Sequence, residues 1–143
     1  MRERPTPRPT ELSRALGFSV TEFKPGSCVV ECTVTERHLN MGGAVHGGIH
    51  ATLLDTSMGG TLVSTISEDE WCATAQIDIS YLNAVGVGSH LIAKAEVVRR
   101  GRTLAHMEGT LASEDGTIVA TAKGTWVIWK TRHGNQENEV LNT

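Results

Sequence analysis

The residues of this chain best placed to do chemistry lie between positions 40 and 55: Asn40-Met41-Gly42-Gly43-Ala44-Val45-His46-Gly47-Gly48, then Ile49-His50-Ala51-Thr52-Leu53-Leu54-Asp55. From Gly47 to about Ile66 the apolar residues Ile49, Leu53, Leu54, Met58 and Leu62 recur at three- and four-residue steps, which predicts one long helix starting near His46. A glycine-rich loop ahead of a helix brings bare backbone N–H groups to its N-terminus, where unpaired amides and the positive end of the dipole favour an oxygen gaining negative charge. Hydrolysis of a thioester makes such an oxygen, and preorganised donors of this kind contribute roughly 3–4 kcal/mol each in the transition state. Asp55 falls about two turns into the same helix, on a mainly apolar element where a carboxylate is costly to bury without a partner or a purpose. It reads as a general base or a nucleophile. The competing reading is a carboxylate satisfied by the sheet backbone or a neighbouring subunit.

Other chemistries find less support. His46 and His50 stand four residues apart, but there is no H-E-x-x-H pattern and the glycines between them belong to a loop-to-helix junction, so no metal is expected. No G-x-S-x-G occurs, and no cysteine opens a helix where its pKa would fall. A G-x-x-x-x-G-K-[ST] phosphate loop is also lacking. Cys28, Cys32 and Cys72 are odd in number and without C-x-x-C spacing, and read as buried thiols in a reducing compartment. His38, His90, His106 and His133 read as exposed or satisfied side chains.

The elements that must position these residues follow from the pattern on either side. Glu11 to Leu16 suits a short helix, capped by Thr10 and ended by Gly17. Phe18 to Phe23 and Ser27 to Glu36 read as a hairpin about Lys24-Pro25-Gly26. Within the long helix, Gly59 and Gly60 either permit close packing or mark a bend. Beyond it Ala73, Ala75, Ile77, Ile79 and Tyr81 alternate with Thr74, Gln76, Asp78 and Ser80, which predicts a strand with those two sets on opposite faces. Leu91, Ala93, Ala95 and Val97 make the next strand, Arg102-Thr103 opens another running to Ser113, and Asp115-Gly116 turns the chain into a last strand from Ile118 to Trp129. That strand ends in apolar residues on both faces, as a buried or subunit-contacting strand does, and a sheet edge there would need a partner. Two strands, a helix and four antiparallel strands make an α+β domain, a curved antiparallel sheet around one long central helix.

Size and charge agree with a single domain. The chain has 143 residues, 39% hydrophobic and 20% charged, with a net charge of −3, so the broad basic face of a nucleic-acid binder is not expected. No uncharged apolar run reaches membrane-spanning length and the first residues lack the apolar core of a secretory signal, so the expected compartment is the cytoplasm. Residues 1–9 read as a flexible, solvated arm, 10–130 as the domain, and 131–143 as a polar tail.

The pattern N-x-x-G-x-x-H-G-G-x-x-x-x-L-x-D formed by Asn40 to Asp55 resembles that of the PaaI-like branch of hotdog-fold acyl-CoA thioesterases. The element order, Ile79-Ser80-Tyr81-Leu82, the Arg99-Arg100-Gly101-Arg102 turn and the segment from Asp115-Gly116 to Gly124-Thr125 extend the resemblance over residues 10–130. It implies a homo-oligomer, a dimer or a dimer of dimers, whose sites form across a subunit interface, with Asn40, His46 and Gly47 from one subunit and Asp55 from the other. By the same resemblance Gly47 gives the amide for the thioester oxygen, with Gly48 beside it in substrate binding. Asn40 positions thioester or water, His46 orders the loop, and Asp55 is base or nucleophile. A hydroxyl that holds the water falls at Thr74 in one branch; in another it falls at a position occupied here by Gly59, which has none, and Thr56 and Ser57 are the alternatives. The arginine turn at Arg99, Arg100 and Arg102 reads either as contact with the phosphates of coenzyme A or as a solvated hairpin tip. No separate cofactor is implied, coenzyme A being part of the substrate. A hotdog enoyl-CoA hydratase would carry its Asp ahead of its His, unlike this chain, and a non-catalytic acyl-CoA-binding module would have no use for Asn40, Gly47 and Asp55 together. The acyl group is left open between aromatic and aliphatic classes.

Overall fold

The computed structural model describes residues 3–131. Helix α1 (Glu11–Leu16) has Thr10 as its N-cap and Gly17, at φ 70°, as its left-handed C-cap, as the sequence predicts. Strands β1 (Ser19–Lys24) and β2 (Ser27–Thr33) form the first hairpin. β2 stops three residues earlier than its alternation suggests, because the buried His38 ring accepts from Thr35 N at 2.9 Å and meets Leu16 O at 2.7 Å, folding 36–38 into a turn of 3-10 helix. Helix α2 (Gly47–Val63) follows, then β3 (Glu70–Tyr81), β4 (His90–Arg100), β5 (Leu104–Ser113) and β6 (Ile118–Lys130).

The six strands form one antiparallel sheet in the order β1-β2-β4-β5-β6-β3, and α2 touches all six. This is the hotdog arrangement expected above. The buried positions of α2 are His50, Leu53, Leu54, Ser57, Met58, Thr61 and Leu62, a stripe at three- and four-residue steps. Leu53, Leu54, Met58 and Leu62 are fully buried against Val30, Leu91, Met107, Leu111 and Trp126, each contributing roughly 1.5–3 kcal/mol. Two polar members of the stripe fasten α2 to β2: Ser57 Oγ donates to Cys28 O at 2.7 Å and Thr61 Oγ1 accepts from Cys28 N at 3.1 Å. Gly60 serves close packing, since a Cβ there would lie 2.5 Å from Cys28 Sγ.

Two expectations need correction. The last strand, β6, is not an edge: it lies between β5 and β3, and the free edges are β1 and β3. The alternation along β3 also breaks. Its register against β6 shifts between Thr74 and Gln76, a bulge at Ala75. Cys72 packs into the core on one side of the bulge and Ile77 and Ile79 pack against the core on the other, so Thr74 shares the helix-facing side with Ile77 rather than opposing it.

At the ends of the described chain, residues 5–10 are exposed, while the Arg4 guanidinium donates to the carbonyls of Ser67 and Glu70 and lies over Trp71. His133 and all of the polar tail beyond Thr131 lie outside the described residues. Among those described, no helix is long and apolar enough to cross a membrane.

Candidate active site

The loop before α2 is built by its own side chains. A bridge between Leu39 and Val45 closes it, Asn40 N donates to Ala44 O at 2.7 Å, and Gly43 turns it at φ 83°. Asn40 Oδ1 accepts from Gly42 N at 2.9 Å and Ala44 N at 3.2 Å. The acceptor end of this amide therefore shapes the loop, and its NH2 end is left to face outward.

His46 is the N-cap of α2. Its Nδ1 accepts from Gly48 N at 2.8 Å, and its carbonyl accepts from Ile49 N at 2.9 Å. With Gly48 and Ile49 so engaged, the Gly47 N–H has no partner among the described residues and sits where the dipole of a 17-residue helix is most positive. Gly48 stays exposed beside it. Gly47 is also close-packed: the Tyr81 hydroxyl donates to Gly47 O at 2.9 Å, and a Cβ at Gly47 would stand 3.3 Å from the Tyr81 ring.

Asp55 is half-buried on α2, and Thr74 Oγ1 donates to its Oδ1 at 2.6 Å. The bulge at Ala75 delivers this contact, by turning Thr74 toward the helix. The two alternative hydroxyls are otherwise committed, Thr56 to Thr52 O and Ser57 to Cys28 O. Gly47 and Asp55, eight residues apart on one helix, are separated by about 12 Å along its axis. One protomer thus brings Asp55 to Thr74 and Asn40 to Gly47, but holds the two pairs apart.

The arginine turn divides. Arg100 pairs with Glu70, whose side chain is largely buried, whereas Arg99 and Arg102 are exposed. Burial alone would raise the Glu70 carboxyl, but hydrogen bonds from Ser67 and the Arg100 guanidinium outweigh it and hold the group below its ordinary value. Three other histidines have partners: His38 as above, His90 with Glu31 at 2.7 Å, and His106 with Thr125 at 3.5 Å.

His50 escaped notice in the sequence except as half of a histidine pair. The residue is 4% exposed, neither ring nitrogen has a hydrogen-bond partner among the described residues, and the ring stacks on Tyr81 with centroids 5.7 Å apart. It lines a cavity of about 390 Å³ with Asn40, Gly47, Tyr81 and Leu82. A wider concavity of about 850 Å³ opens on the far side of the sheet, among Lys94, Glu108 and Lys123. That one holds none of the residues above, whereas the smaller cavity gathers Asn40, Gly47 and His50. Among the described residues no three His, Cys, Asp or Glu side chains gather as metal ligands would.

Comparison with known proteins adds to this geometry. The thioesterase superfamily profile matches residues 42–120, a span that includes Gly47, Asp55 and Thr74. The human acyl-coenzyme A thioesterase 13 is 29% identical over 114 residues, covering 78% of this chain and 81% of the relative. A hypothetical thioesterase of Streptococcus pneumoniae TIGR4, solved with coenzyme A, is 30% identical at a TM-score of 0.74 and covers 80% of this chain and 88% of its own. The Escherichia coli PaaI protein from the phenylacetic acid degradation operon superposes at a TM-score of 0.79, covering 85% of this chain and 86% of its own; at 24% identity it bears on the fold alone. A profile match over more than half of the chain, in a domain of this architecture, makes the protein a member of the thioesterase superfamily and a thioester hydrolase.

Proposed function

We propose that the protein hydrolyses an acyl-CoA to a free carboxylic acid and coenzyme A, with Asp55 as general base and the Gly47 N–H as oxyanion donor. The observation that carries the reading is the Thr74–Asp55 hydrogen bond, which orients a carboxylate on the helix face and leaves its second oxygen for water. The carboxylate takes a proton from that water, whose oxygen attacks the thioester carbonyl carbon. Negative charge gathers on the carbonyl oxygen, opposite the unpaired Gly47 N–H, and the Asn40 NH2 end helps hold the thioester. The carbon–sulfur bond then breaks, and the proton held by Asp55 passes to the thiolate.

An axial separation of about 12 Å is too long for Gly47 and Asp55 of one chain to act on one carbonyl. The reading therefore requires a second copy, with Asp55 and Thr74 facing the loop of its partner. The free edge of β3 supports this, since Ala73 to Gln76 are exposed beside the bulge. The acyl-CoA class is favoured by the relatives and by the exposed Arg99 and Arg102, whose guanidinium groups suit phosphates.

A panel of acyl-CoAs, aromatic and aliphatic, assayed for release of free thiol tests the substrate class. Co-expression of Asp55→Asn with Asn40→Asp chains tests the shared site: mixed dimers should recover activity that neither variant shows alone. Absence of recovery in dimers verified to be mixed would refute the shared arrangement.

A further inference from the structure

The cavity beside Gly47 has volume enough for a small acyl group, and most of its wall is apolar, as an acyl pocket requires. His50 is the exception. Buried polar groups in folded proteins are nearly always hydrogen-bonded, and a ring with two unpartnered nitrogens is most simply explained by a partner from outside the chain. Burial pushes its imidazole below the ordinary value, so at neutral pH the ring is uncharged, with one N–H to give and one lone pair to receive. Tyr81, tied to Gly47 O and 54% exposed, stands between the ring and solvent. Helical side chains lean toward the N-terminus, so the His50 ring stands over the turn that carries Gly47, whose amide is only about 4.5 Å along the axis.

We infer that His50 reads a hydroxyl on carbon 2 or 3 of the acyl group, making this enzyme selective for hydroxyacyl thioesters over their unsubstituted counterparts. A hydroxyl can receive the ring N–H or donate to its lone pair, and so meets whichever nitrogen of the neutral ring faces the cavity, in either tautomer. Its place close to the carbonyl follows from the short separation of His50 and Gly47, and so the inference rests on Gly47 as the oxyanion donor. Either carbon satisfies the same chemistry, and the two positional isomers are separate arms of the test. A substrate without the hydroxyl would leave that nitrogen unpartnered on binding, a difference that enzymes built to hydrogen-bond a substrate hydroxyl turn into large selectivity.

The test compares kcat/KM for butanoyl-, 2-hydroxybutanoyl- and 3-hydroxybutanoyl-CoA, and for the eight-carbon analogues, in the wild type and in His50→Gln and His50→Leu. At least one hydroxylated isomer should exceed the unsubstituted substrate by about tenfold or more in the wild type. His50→Gln, which keeps a donor and an acceptor, should retain part of that ratio, and His50→Leu should bring it to about one. Should His50→Leu fail to fold, His50→Met removes the same two groups with a more adaptable side chain. A ratio near one in the wild type, or an unchanged ratio in the apolar variant, overturns the inference and leaves His50 with a buried water as its partner. Failure to release thiol from any acyl-CoA would instead strike at the proposed activity, a result distinct from thiol release without selectivity.

Discussion

The Thr74–Asp55 pair offers the sharpest test of the mechanism, through Thr74→Val, Asp55→Asn and the double variant. Valine replaces the hydroxyl with a methyl of similar shape and removes the hydrogen bond of 2.6 Å. Hydrogen bonds to charged groups contribute about 1.5–3 kcal/mol, which at 1.4 kcal/mol per decade is about 10- to 150-fold in rate if the bond holds the carboxylate through the transition state. Thr74 is exposed and Asp55 only half-buried, so the lower end applies and a loss of kcat of about tenfold is expected. Asp55→Asn keeps the volume and can still receive the Thr74 hydroxyl, but cannot take a proton from water, and should cost at least about 10²-fold. Since the hydroxyl acts through the carboxylate, adding Thr74→Val to Asp55→Asn should lower kcat by less than about threefold further. The assay is the initial rate of thiol release at saturating acyl-CoA, with thermal melts to verify folding. Multiplicative losses in the double variant would refute the coupling, and wild-type kcat in Asp55→Asn would refute the base.

Replacing Arg99 and Arg102 by Ala should raise KM with little change in kcat, whereas Arg100→Ala should lower the melting temperature by removing the partner of buried Glu70, a loss of about 1–2 kcal/mol after allowance for the exposure of Arg100. Gly60→Ala should destabilise the fold despite a helix-propensity gain of about 1 kcal/mol, because its Cβ would meet Cys28 Sγ at 2.5 Å; adding Cys28→Ala should recover most of the loss in a denaturant melt. The lowered pKa of His50 means that, as pH falls below about 6.5, the unfolded chain takes up a proton that the native ring resists. Stability contributed by the neutral ring is therefore lost on acidification through that window, and the melting temperature of His50→Gln should fall less steeply there than that of the wild type.

Local signals in the sequence carried most of the architecture. Thr10 and Gly17 bounded α1 because a side-chain cap and a left-handed C-cap each demand particular residues. The stripe of α2 was legible from its leucines and methionine, though not the part played by Ser57 and Thr61, whose hydroxyls gain their value from one peptide unit of β2 at Cys28. The helix-facing side of Thr74 was not legible, since strict alternation puts it opposite Ile77 and a single bulged residue without glycine leaves no mark in composition. The edge of the sheet was misread for a related reason. Apolar residues on both faces of β6 show that the strand is covered, not that it ends the sheet, and strand order depends on contacts distant in sequence. Asn40, expected to meet substrate, also folds its own loop, so Asn40→Ala would disturb two functions at once while Asn40→Asp keeps the acceptor. His50 was weighed only as half of a metal pair, because a histidine on a helix face is ordinary until its burial and its missing partners are known.

The bulge at Ala75 links the chemistry to the proposed assembly. An edge strand of 12 residues with exposed Ala73 to Gln76 is a liability in a lone protomer, since its unpaired backbone groups invite other strands. In the proposed dimer the same stretch lies where each chain meets the other, and the bulge reconciles two demands that strict alternation would set against each other. Thr74 must face α2 to orient Asp55, and Ile77 and Ile79 must face it to complete the core. Without the extra residue, either the hydroxyl or the two isoleucines would turn to the far side of the sheet. Deleting Ala75 would therefore do more than shorten an edge: it would force a choice between the core and the acid–base pair.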